Sequence, residues 1–194
     1  MTPSLRSSRL ILHAHAPGLV TQEHVDWLND KDLMRYSEQR HREHTLRTQL
    51  DYVRDESPQR KLWLIRYEGV DIGTLAAYVD ENNKRCDLGI LIGRREYHGQ
   101  GFAAEAWTAV INYFFDNGLN KIECGCQDDN WPMRRLATTT GFSLEAEIPG
   151  HFREGDKYKG LLRYGRFKHD IYHSPWDKMW QPPFWKPGRA HASS

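Results

Sequence analysis

The sequence contains few features of the kind that assign a protein to a function class at once. It has only three cysteines in 194 residues, too few and too widely spaced for a disulfide framework or a zinc ligand set. It has no apolar run of about 18 residues, and its first residues lack the long apolar segment of a secretory signal. The net charge of +1 gives no overall field that attracts nucleic acid or a membrane surface. We therefore expect a reduced, cytoplasmic protein without a metal site, a membrane span or a nucleic-acid partner.

The composition is that of one soluble globular domain followed by a tail of different character. Hydrophobic residues make up 39% of the chain and charged residues 27%, which suits a domain with a real core. Cys86, Cys124 and Cys126 are expected to be buried thiols within it. After residue 168, tryptophans alternate with prolines, which prevents regular elements and leaves apolar rings to be covered. We expect one domain over 1–168 and a Trp- and Pro-rich tail, 169–194, packed on the domain or on a partner.

Hydrophobic periodicity indicates strands and helices around one sheet. Thr45 and Asn130 are suitable N-caps for two of the helices. The order of elements predicts an α/β or α+β fold with one mixed sheet. The segments are a strand over 9–15, two helices within 21–56, an antiparallel meander over 61–92, a helix over 102–117, a strand over 121–126, a helix after Asn130, a strand from Gly141 to about Ile148, a loop from Pro149 to Lys157 and a last strand over 158–167.

The most informative stretch, Tyr97–Ala106, is a loop with two glycines that runs from the apolar strand Leu88–Ile92 into an amphipathic helix. Glycines let a backbone approach a ligand closely, and the first N–H groups of a helix have no partner within it. The helix macrodipole adds partial positive charge at the same place. The stretch is therefore a candidate phosphate site, although it lacks the Gly-Lys-Ser/Thr sequence of a P-loop.

Two blocks in this order resemble the GNAT N-acetyltransferase superfamily, and within it the RimJ/RimL-like ribosomal-protein alanine acetyltransferases. The first block, Tyr-x-Gly-x-Gly-x-Ala-x-Glu-Ala, stands here at Tyr97–Ala106. The second, Asp-Asn followed by a Gly-Phe pair, stands here at Asp129-Asn130 and Gly141-Phe142. The order of elements matches over residues 9–167. The resemblance implies a mixed, mostly antiparallel central sheet flanked by helices, with splayed middle strands.

The resemblance also implies acetyl-CoA as the acetyl donor and assigns residues to it. The pantetheine arm would pair like an extra strand with the edge formed by Leu91, Ile92 and Gly93. Asn130 would contact the arm, and Arg134 or Arg135 would reach the phosphates. The pyrophosphate would lie on the backbone of the loop. The predicted loop contacts are His98, Gly99, Gln100, Gly101, Phe102 and Ala103.

Three departures from the family pattern affect the expected chemistry. His98 stands where Arg or Gln is frequent, a minor change because backbone donors bind the phosphates. Met133 and Ala137 stand where a Ser or a Tyr often protonates the leaving thiolate, and neither donates a useful proton. Gly160 stands where this branch often has an Asp. Since the CoA thiol has a pKa of about 8.5, its thiolate can leave without a strong acid. We therefore expect direct attack by the amine, assisted by a general base.

Three residues are candidates for that base. Asp87 lies on the strand before the loop and would face the splay region, although a salt bridge would equally explain its presence. Glu38 and His41 lie in a cluster of titratable residues that we expect over the acceptor cleft. A solvated, mixed-charge surface is the alternative for this cluster.

Four other titratable residues are weaker candidates or have structural explanations. His44 belongs to the same cluster, and a surface histidine is the alternative. Tyr97 and Tyr164 could supply a phenol, although packing explains both. Glu105 is expected to stabilise the first turns of its helix through the helix dipole.

The sequence constrains the acceptor less than the donor. Arg35, Arg40, Arg42 and Arg47 suggest an anionic small molecule, such as an amino sugar or a nucleotide-linked amine, although acidic residues interleave with them. A protein N-terminus is the acceptor that the resemblance suggests; an open cleft would favour it. A non-catalytic CoA-binding interaction module, docked through the tail, is an alternative of another class. A homodimer is compatible with each of these.

Overall fold

Eight strands form one sheet in the computed structural model, which describes residues 2–55 and 57–169. The predicted Trp- and Pro-rich tail lies outside the described residues, apart from His169. The strands are β1 (Leu5–Arg6), β2 (Leu10–Ala14), β3 (Arg60–Tyr67), β4 (Val70–Asp80), β5 (Arg85–Ile92), β6 (Lys121–Gln127), β7 (Ser143–Glu154) and β8 (Lys157–Phe167). The described α-helices are α1 (Gln22–Asn29), α2 (Leu46–Arg54), α3 (Phe102–Asp116) and α4 (Trp131–Thr139).

The strand order is β1-β2-β3-β4-β5-β6-β8-β7, and one neighbouring pair differs from the others. Strands β5 and β6 run parallel, because α3 connects them as a crossover, whereas the other neighbours are antiparallel. The meander predicted over 61–92 corresponds to β3, β4 and β5. The predicted fold class, a mixed and mostly antiparallel sheet flanked by helices, is confirmed.

Helix α3 provides most of the helical side of the main core. Its apolar residues recur at helical spacing, so Trp107, Val110 and Phe114 share one fully buried face. They form one cluster with buried sheet residues, among them Trp63 and Ile65 of β3. This packing holds the start of α3, and with it the preceding glycine loop, at the end of β5.

The opposite face of β3 is buried as well. Leu62 and Leu64 alternate with the core residues of β3 and are buried outside the main cluster. Leu62 lines a groove together with Val53 of α2. Helices α1 and α2 each begin at a threonine N-cap, Thr21 and Thr45, whose hydroxyl accepts a backbone N–H three residues later.

The three cysteines are free and buried, as predicted. Burial raises the pKa of all three thiols, to about 12 for Cys124 and to about 11 for Cys126. The thiolate form is therefore scarce near neutral pH, and these residues act as small apolar groups of the core.

The prediction of a loop from Pro149 to Lys157 is wrong. Strand β7 continues to Glu154 and forms a long hairpin with β8, and only a tight turn separates the two strands. The register of the pair shifts between Ile148 and Phe152, so an irregularity accommodates Pro149 and Gly150 without ending the strand. Proline is tolerated here because β7 is the edge strand of the sheet.

None of the helices in the described part of the chain is both long and apolar enough to cross a membrane.

Candidate active site

The middle of the sheet is open between β5 and β6. The two strands pair only where Arg85–Asp87 meets Lys121–Glu123, and beyond that point they separate. Gly93 donates its N–H to the carbonyl of Ile72 on β4, so Gly93 faces that neighbour. Because successive residues of a strand face opposite neighbours, the backbone groups of Leu88, Ile90 and Ile92 face the open side. The splay expected from the resemblance is present.

A groove of about 1490 Å³ runs through this opening. One wall is the end of β5 with the glycine loop, and the facing wall is the start of α4. The segment between α1 and α2 lies along the other end of the groove, with Tyr36, Ser37 and Gln39 in the lining.

The glycine loop presents backbone N–H groups to the groove. Gly99 and Gly101 have φ values of +73° and +81°, a region that favours glycine. Gly101 is the residue before α3 and brings no side chain to cap the helix. Among the described residues, no acceptor binds the N–H groups of Gly99–Ala104. The loop can therefore donate several hydrogen bonds to one anionic ligand.

Glu105 fixes the other side of this loop. Its carboxylate accepts hydrogen bonds from the Ser7 hydroxyl (2.7 Å), from the Arg9 backbone N–H (2.6 Å) and from the Arg9 guanidinium (2.7 Å). The guanidinium also donates to the carbonyl of Gln100 and lies 4.1 Å from the centre of the Phe102 ring. Burial raises the pKa of Glu105, but these hydrogen bonds outweigh it and leave the pKa lowered. Glu105 thus ties the loop to the turn between β1 and β2, a contact that adds to the predicted dipole effect.

Most of the residues predicted to bind the cofactor line the groove, and two do not. Gln100 lies outside the lining, and its side chain donates to the carbonyl of Glu96. Gly93 lies under the ring of Trp27, which an added Cβ would approach to 2.0 Å, so packing alone requires glycine there. The lining includes Leu91, Ile92, His98, Gly99, Gly101, Phe102, Ala103, Asn130 and Arg135.

Among these side chains, those of His98 and Asn130 are held by hydrogen bonds, whereas that of Arg135 is not paired with an acidic residue of the described part of the chain. His98 places Nε2 2.8 Å from the carbonyl oxygen of Ile92, at the end of the open edge. Asn130 accepts the N–H of Met133 on Oδ1 as the N-cap of α4. Arg135 makes no ion pair within the described part of the chain, whereas Arg134 donates to the carbonyl of Asp128 and is absent from the lining.

Asp87 lies at the point where β5 and β6 separate. Its carboxylate is 2.6 Å from the guanidinium of Arg163 on β8, and Tyr78 stands directly opposite it on β4. Burial raises the pKa of Asp87, and the ion pair with Arg163 offsets that shift only in part. Asp87 is not itself in the groove lining, but Tyr78 and Gly89 beside it are.

Glu38 and His41 border the groove but are not among its lining residues. They form a short helical turn, are both more than half exposed, and approach each other to 3.8 Å. Neither is in the lining, whereas Ser37, Gln39 and Arg42 of the same segment are. His44 does line the groove, but both its ring nitrogens are hydrogen-bonded, to the Gln39 carbonyl and to the Gln49 side chain.

The two candidate phenols have different surroundings. Tyr97 lines the groove but packs edge-on against the rings of Tyr67 and Phe102. Tyr164 is buried in the main core, and burial raises its pKa. These positions agree with the packing explanation for both residues.

Several lining residues were not anticipated. Tyr36 donates its hydroxyl to the carbonyl of Asp129 (3.1 Å) and so joins the segment between α1 and α2 to the start of α4. The hydroxyls of Tyr52 and Tyr78 are 3.0 Å apart on the same side of the groove. The sequence signal that could have indicated Tyr78 is an aromatic residue at an outward-facing position of the alternating pattern of β4. The structure shows that this side chain is exposed.

The groove contains a pair of neighbouring histidines, the partly exposed His15 and the buried His24. The rings of His15 and His24 meet edge to face at 5.8 Å, and both residues line the groove. Burial lowers the pKa of His15 to about 4, and the neighbouring His24 contributes to the shift. Burial also lowers the pKa of His24, although Asp71 at 3.8 Å opposes it. The described residues contain no group of three or more His, Cys, Asp or Glu that could hold a metal ion.

Comparison with known protein families identifies the domain. The model of the acetyltransferase (GNAT) domain matches residues 9–143, more than half of the chain. This chain belongs to the GNAT acetyltransferase family. The membership confirms the resemblance and the enzyme class that it implied, an acyl-CoA-dependent N-acetyltransferase.

Similar GNAT proteins include one sequence relative and many solved structures. An uncharacterized N-acetyltransferase, p20 of Bacillus licheniformis, is 35% identical over 85 residues, which are 43% of this chain and 45% of p20. The match therefore spans less than half of that relative.

Two solved structures illustrate how far the shared fold extends. RimL, a ribosomal L7/L12 alpha-N-protein acetyltransferase in complex with coenzyme A, has a TM-score of 0.77 at 18% identity; the match covers 85% of this chain and 98% of RimL. Spermidine N-acetyltransferase from Vibrio cholerae, in complex with CoA and spermine, has a TM-score of 0.70 at 20% identity; the match covers 82% and 96% of the two chains. At these sequence identities the structural similarity establishes the fold but does not identify the acceptor of the acetyl group.

Proposed function

We propose that this chain transfers the acetyl group of acetyl-CoA to a primary amine. The observation that carries the proposal is the open edge of β5, which leads directly to the unpaired amides of Gly99–Ala104. An open strand edge suits an amide-bearing arm, and helix N-terminal amides suit a pyrophosphate. Acetyl-CoA carries both groups on one molecule and supplies the acetyl group as a thioester.

Backbone groups of the open edge would assist the transfer itself. An N–H of Ile90 or Ile92 can donate to the acetyl carbonyl oxygen as that oxygen gains negative charge. Met133 and Ala137 of α4, at the positions where a Ser or a Tyr often protonates the leaving thiolate, carry no acidic proton. Departure of the thiolate would therefore depend on its own moderate basicity, with a thiol pKa of about 8.5.

Asp87 is the general base in this proposal. A primary amine has a pKa of roughly 10 and must lose a proton before it can attack. Asp87 lies at the inner end of the splay, where burial raises the pKa of its carboxyl and makes it a better proton acceptor. The guanidinium of Arg163 keeps the carboxylate oriented in this position.

The acceptor in this proposal is a small amine that also carries a phosphate or carboxylate, such as an amino sugar derivative or a nucleotide-linked amine. Arg35 and Arg42 line the groove, and neither has a carboxylate of the described residues within ion-pair distance. By contrast, Arg40 and Arg47 have acidic partners. Unpaired guanidinium groups at the acceptor end favour an anionic ligand.

The test follows thiol release from acetyl-CoA with a panel of amines. The panel contains an amino sugar phosphate, a nucleotide-linked amine, spermidine and a peptide with a free N-terminal alanine. We expect the first two to give turnover, and turnover with the peptide alone would instead assign a protein N-terminus as the acceptor. Tight CoA binding without thiol release from any amine would contradict the enzyme proposal and favour a CoA-binding interaction module.

Two variants separate the base candidates. Asp87→Asn should lower kcat by about tenfold or more, with the Kd for CoA unchanged, because it removes the proton acceptor alone. Glu38→Gln should leave kcat unchanged because this side chain lies in solvent outside the groove. If the Glu38 variant loses turnover and the Asp87 variant does not, the assignment is reversed.

A further inference from the structure

A row of side chains crosses the sheet at the inner end of the groove. Tyr78 of β4 is the register partner of Arg60 on β3 and of Asp87 on β5. Because directly opposite residues of antiparallel strands share one face of the sheet, these three side chains lie side by side. Tyr52 of α2 contacts Arg60 and Tyr78 on that face. Tyr78 is the residue of the row that lines the groove.

The groove ends at this row. On the same face of β4, Ala76 lines the groove two residues before Tyr78, whereas Asp80, two residues after it, does not. On β5, Gly89 lines the groove and Asp87 does not. The floor therefore consists of small residues up to Ala76 and Gly89, and the large ring of Tyr78 stands at its end.

Tyr52 joins the roof of the groove to this end of the floor. Its hydroxyl lies 3.0 Å from the hydroxyl of Tyr78, and we name this hydrogen-bonded pair the tyrosine bridge. The guanidinium of Arg60 lies 4.2 Å from the centre of the Tyr52 ring and donates to the Tyr52 backbone carbonyl, so the ring is held in place. Burial and the hydrogen bond with Tyr78 raise the pKa of Tyr52, so its hydroxyl keeps its proton near neutral pH.

The tyrosine bridge leaves no passage for a polypeptide. A backbone lies about 4.7 Å from a neighbouring strand even when the two are hydrogen-bonded, so it cannot pass between two oxygens that are 3.0 Å apart. The segment between α1 and α2 is tied down as well, because Tyr36 donates to the carbonyl of Asp129 at 3.1 Å. An acceptor that extends past Tyr78 must therefore separate the two hydroxyls of the bridge.

We propose that the tyrosine bridge sets the size of the acceptor: it admits a small amine to the groove and excludes an amine at the end of a polypeptide. This proposal rests on the proposed function, because it takes the groove as the place of acetyl transfer and Asp87 as the base beside the bridge. Tyr52 and Tyr78 act as a barrier, and no proton or bond of the reaction passes through them. The discrimination against long acceptors is a steric penalty.

The test measures selectivity as kcat/KM for a peptide that begins with alanine, divided by kcat/KM for a small amine. The small amine is whichever of the amino sugar phosphate, the nucleotide-linked amine and spermidine reacts fastest, and we expect the natural protein to favour it over the peptide. Tyr78→Ala removes the ring and should raise both the peptide kcat/KM and the selectivity ratio by about tenfold or more. A variant that is only damaged loses activity with every acceptor, so a merely structural role for Tyr78 would not produce this gain.

Three further variants complete the test. Tyr78→Phe keeps a ring at the end of the groove without its bond to α2, so it should raise the ratio by less than Tyr78→Ala does. Tyr78→Val, which favours a strand more than alanine does, repeats the measurement should Tyr78→Ala fail to fold. Tyr158→Ala is the matched control, since Tyr158 is an exposed tyrosine of β8 outside the groove lining, and it should leave the ratio unchanged.

The possible results separate this proposal from the proposed function. A peptide kcat/KM that does not rise in Tyr78→Ala or Tyr78→Val overturns the barrier and leaves acetyl transfer by the natural protein standing. A natural protein that prefers the peptide to every small amine does the same. An equal gain in Tyr78→Phe and Tyr78→Ala assigns the effect to the hydroxyl and also overturns the barrier. If the natural protein binds CoA but releases no thiol with any of these amines, the proposed function fails, and this proposal with it.

Discussion

Replacing Gly93 with alanine should destabilise the protein, because this glycine lies beneath a buried ring. A Cβ at this position would be 2.0 Å from Cδ2 of Trp27 and 2.4 Å from two further ring carbons. Carbon atoms normally approach to about 3.5 Å, so the ring would have to move by about 1.5 Å. Trp27 is only 7% exposed, so most of its ring surface is packed against neighbouring residues that resist its displacement.

The magnitude of the effect follows from this overlap. Overpacking a buried site usually costs about 1–3 kcal/mol, and a rigid indole against a strand backbone places Gly93→Ala near the upper limit. A loss of about 3 kcal/mol in a domain of this size lowers Tm by roughly 6–12 °C. The clash lies at the end of β5, so the loss should appear as lower stability of the whole domain.

The assay compares thermal and urea unfolding of Gly93→Ala with a matched variant on the same strand. An added Cβ at Gly89 would meet nothing within 4 Å, so Gly89→Ala should change the unfolding free energy by less than about 1 kcal/mol. In a Trp27→Leu background the smaller side chain relieves the overlap, and Gly93→Ala should then cost less than about 1 kcal/mol.

One result would refute this reasoning. If Gly93→Ala keeps its Tm within about 2 °C of the natural protein but binds CoA more weakly, the packing explanation fails. The glycine would then be retained for contact with the cofactor, as the family resemblance implies.

Two further predictions concern the loop and His15. Gly101→Glu should abolish CoA binding because it places a carboxylate at the proposed pyrophosphate position. Gly101→Ala, which shares the strain of φ +81° without the charge, should still bind CoA. Calorimetry compares the CoA affinities of the two variants, and equal affinities would contradict the loop assignment. His15 binds a proton near pH 4 when folded and near pH 6.5 when unfolded, so the unfolding free energy should fall by about 3 kcal/mol as the pH falls between these values. Urea unfolding of His15→Gln should lack this component of the pH dependence, and a variant that keeps it would exclude His15 as the source.

Much of the donor side could be predicted from the sequence, because local chemistry specifies it. Two glycines before an amphipathic helix specify a turn with positive φ and free amides, and the structure has both features at Gly99 and Gly101. Asn130 caps α4 as its residue type and position indicate. These features depend on residues close together in the chain, so periodicity and turn chemistry are sufficient.

The hairpin of β7 and β8 shows where local rules fail. Pro149, Gly150 and Gly155 are typical of a loop, yet β7 extends to Glu154. Pairing with β8 along its length outweighs the weak local preference, and the edge position leaves the missing proline N–H without cost to the ladder.

The sequence by itself determined the family, the order of elements and the loop that would hold an anion, because each of these depends on residues that are close together in the chain. The tertiary structure alone decided which titratable groups reach the groove. Glu38 and His41 belong to the segment between α1 and α2 that the sequence placed over the cleft, yet their side chains face solvent, while Tyr36 from the same segment crosses to the start of α4. Which side of a short turn faces the sheet depends on contacts with residues far away in the chain, and no local pattern encodes those contacts.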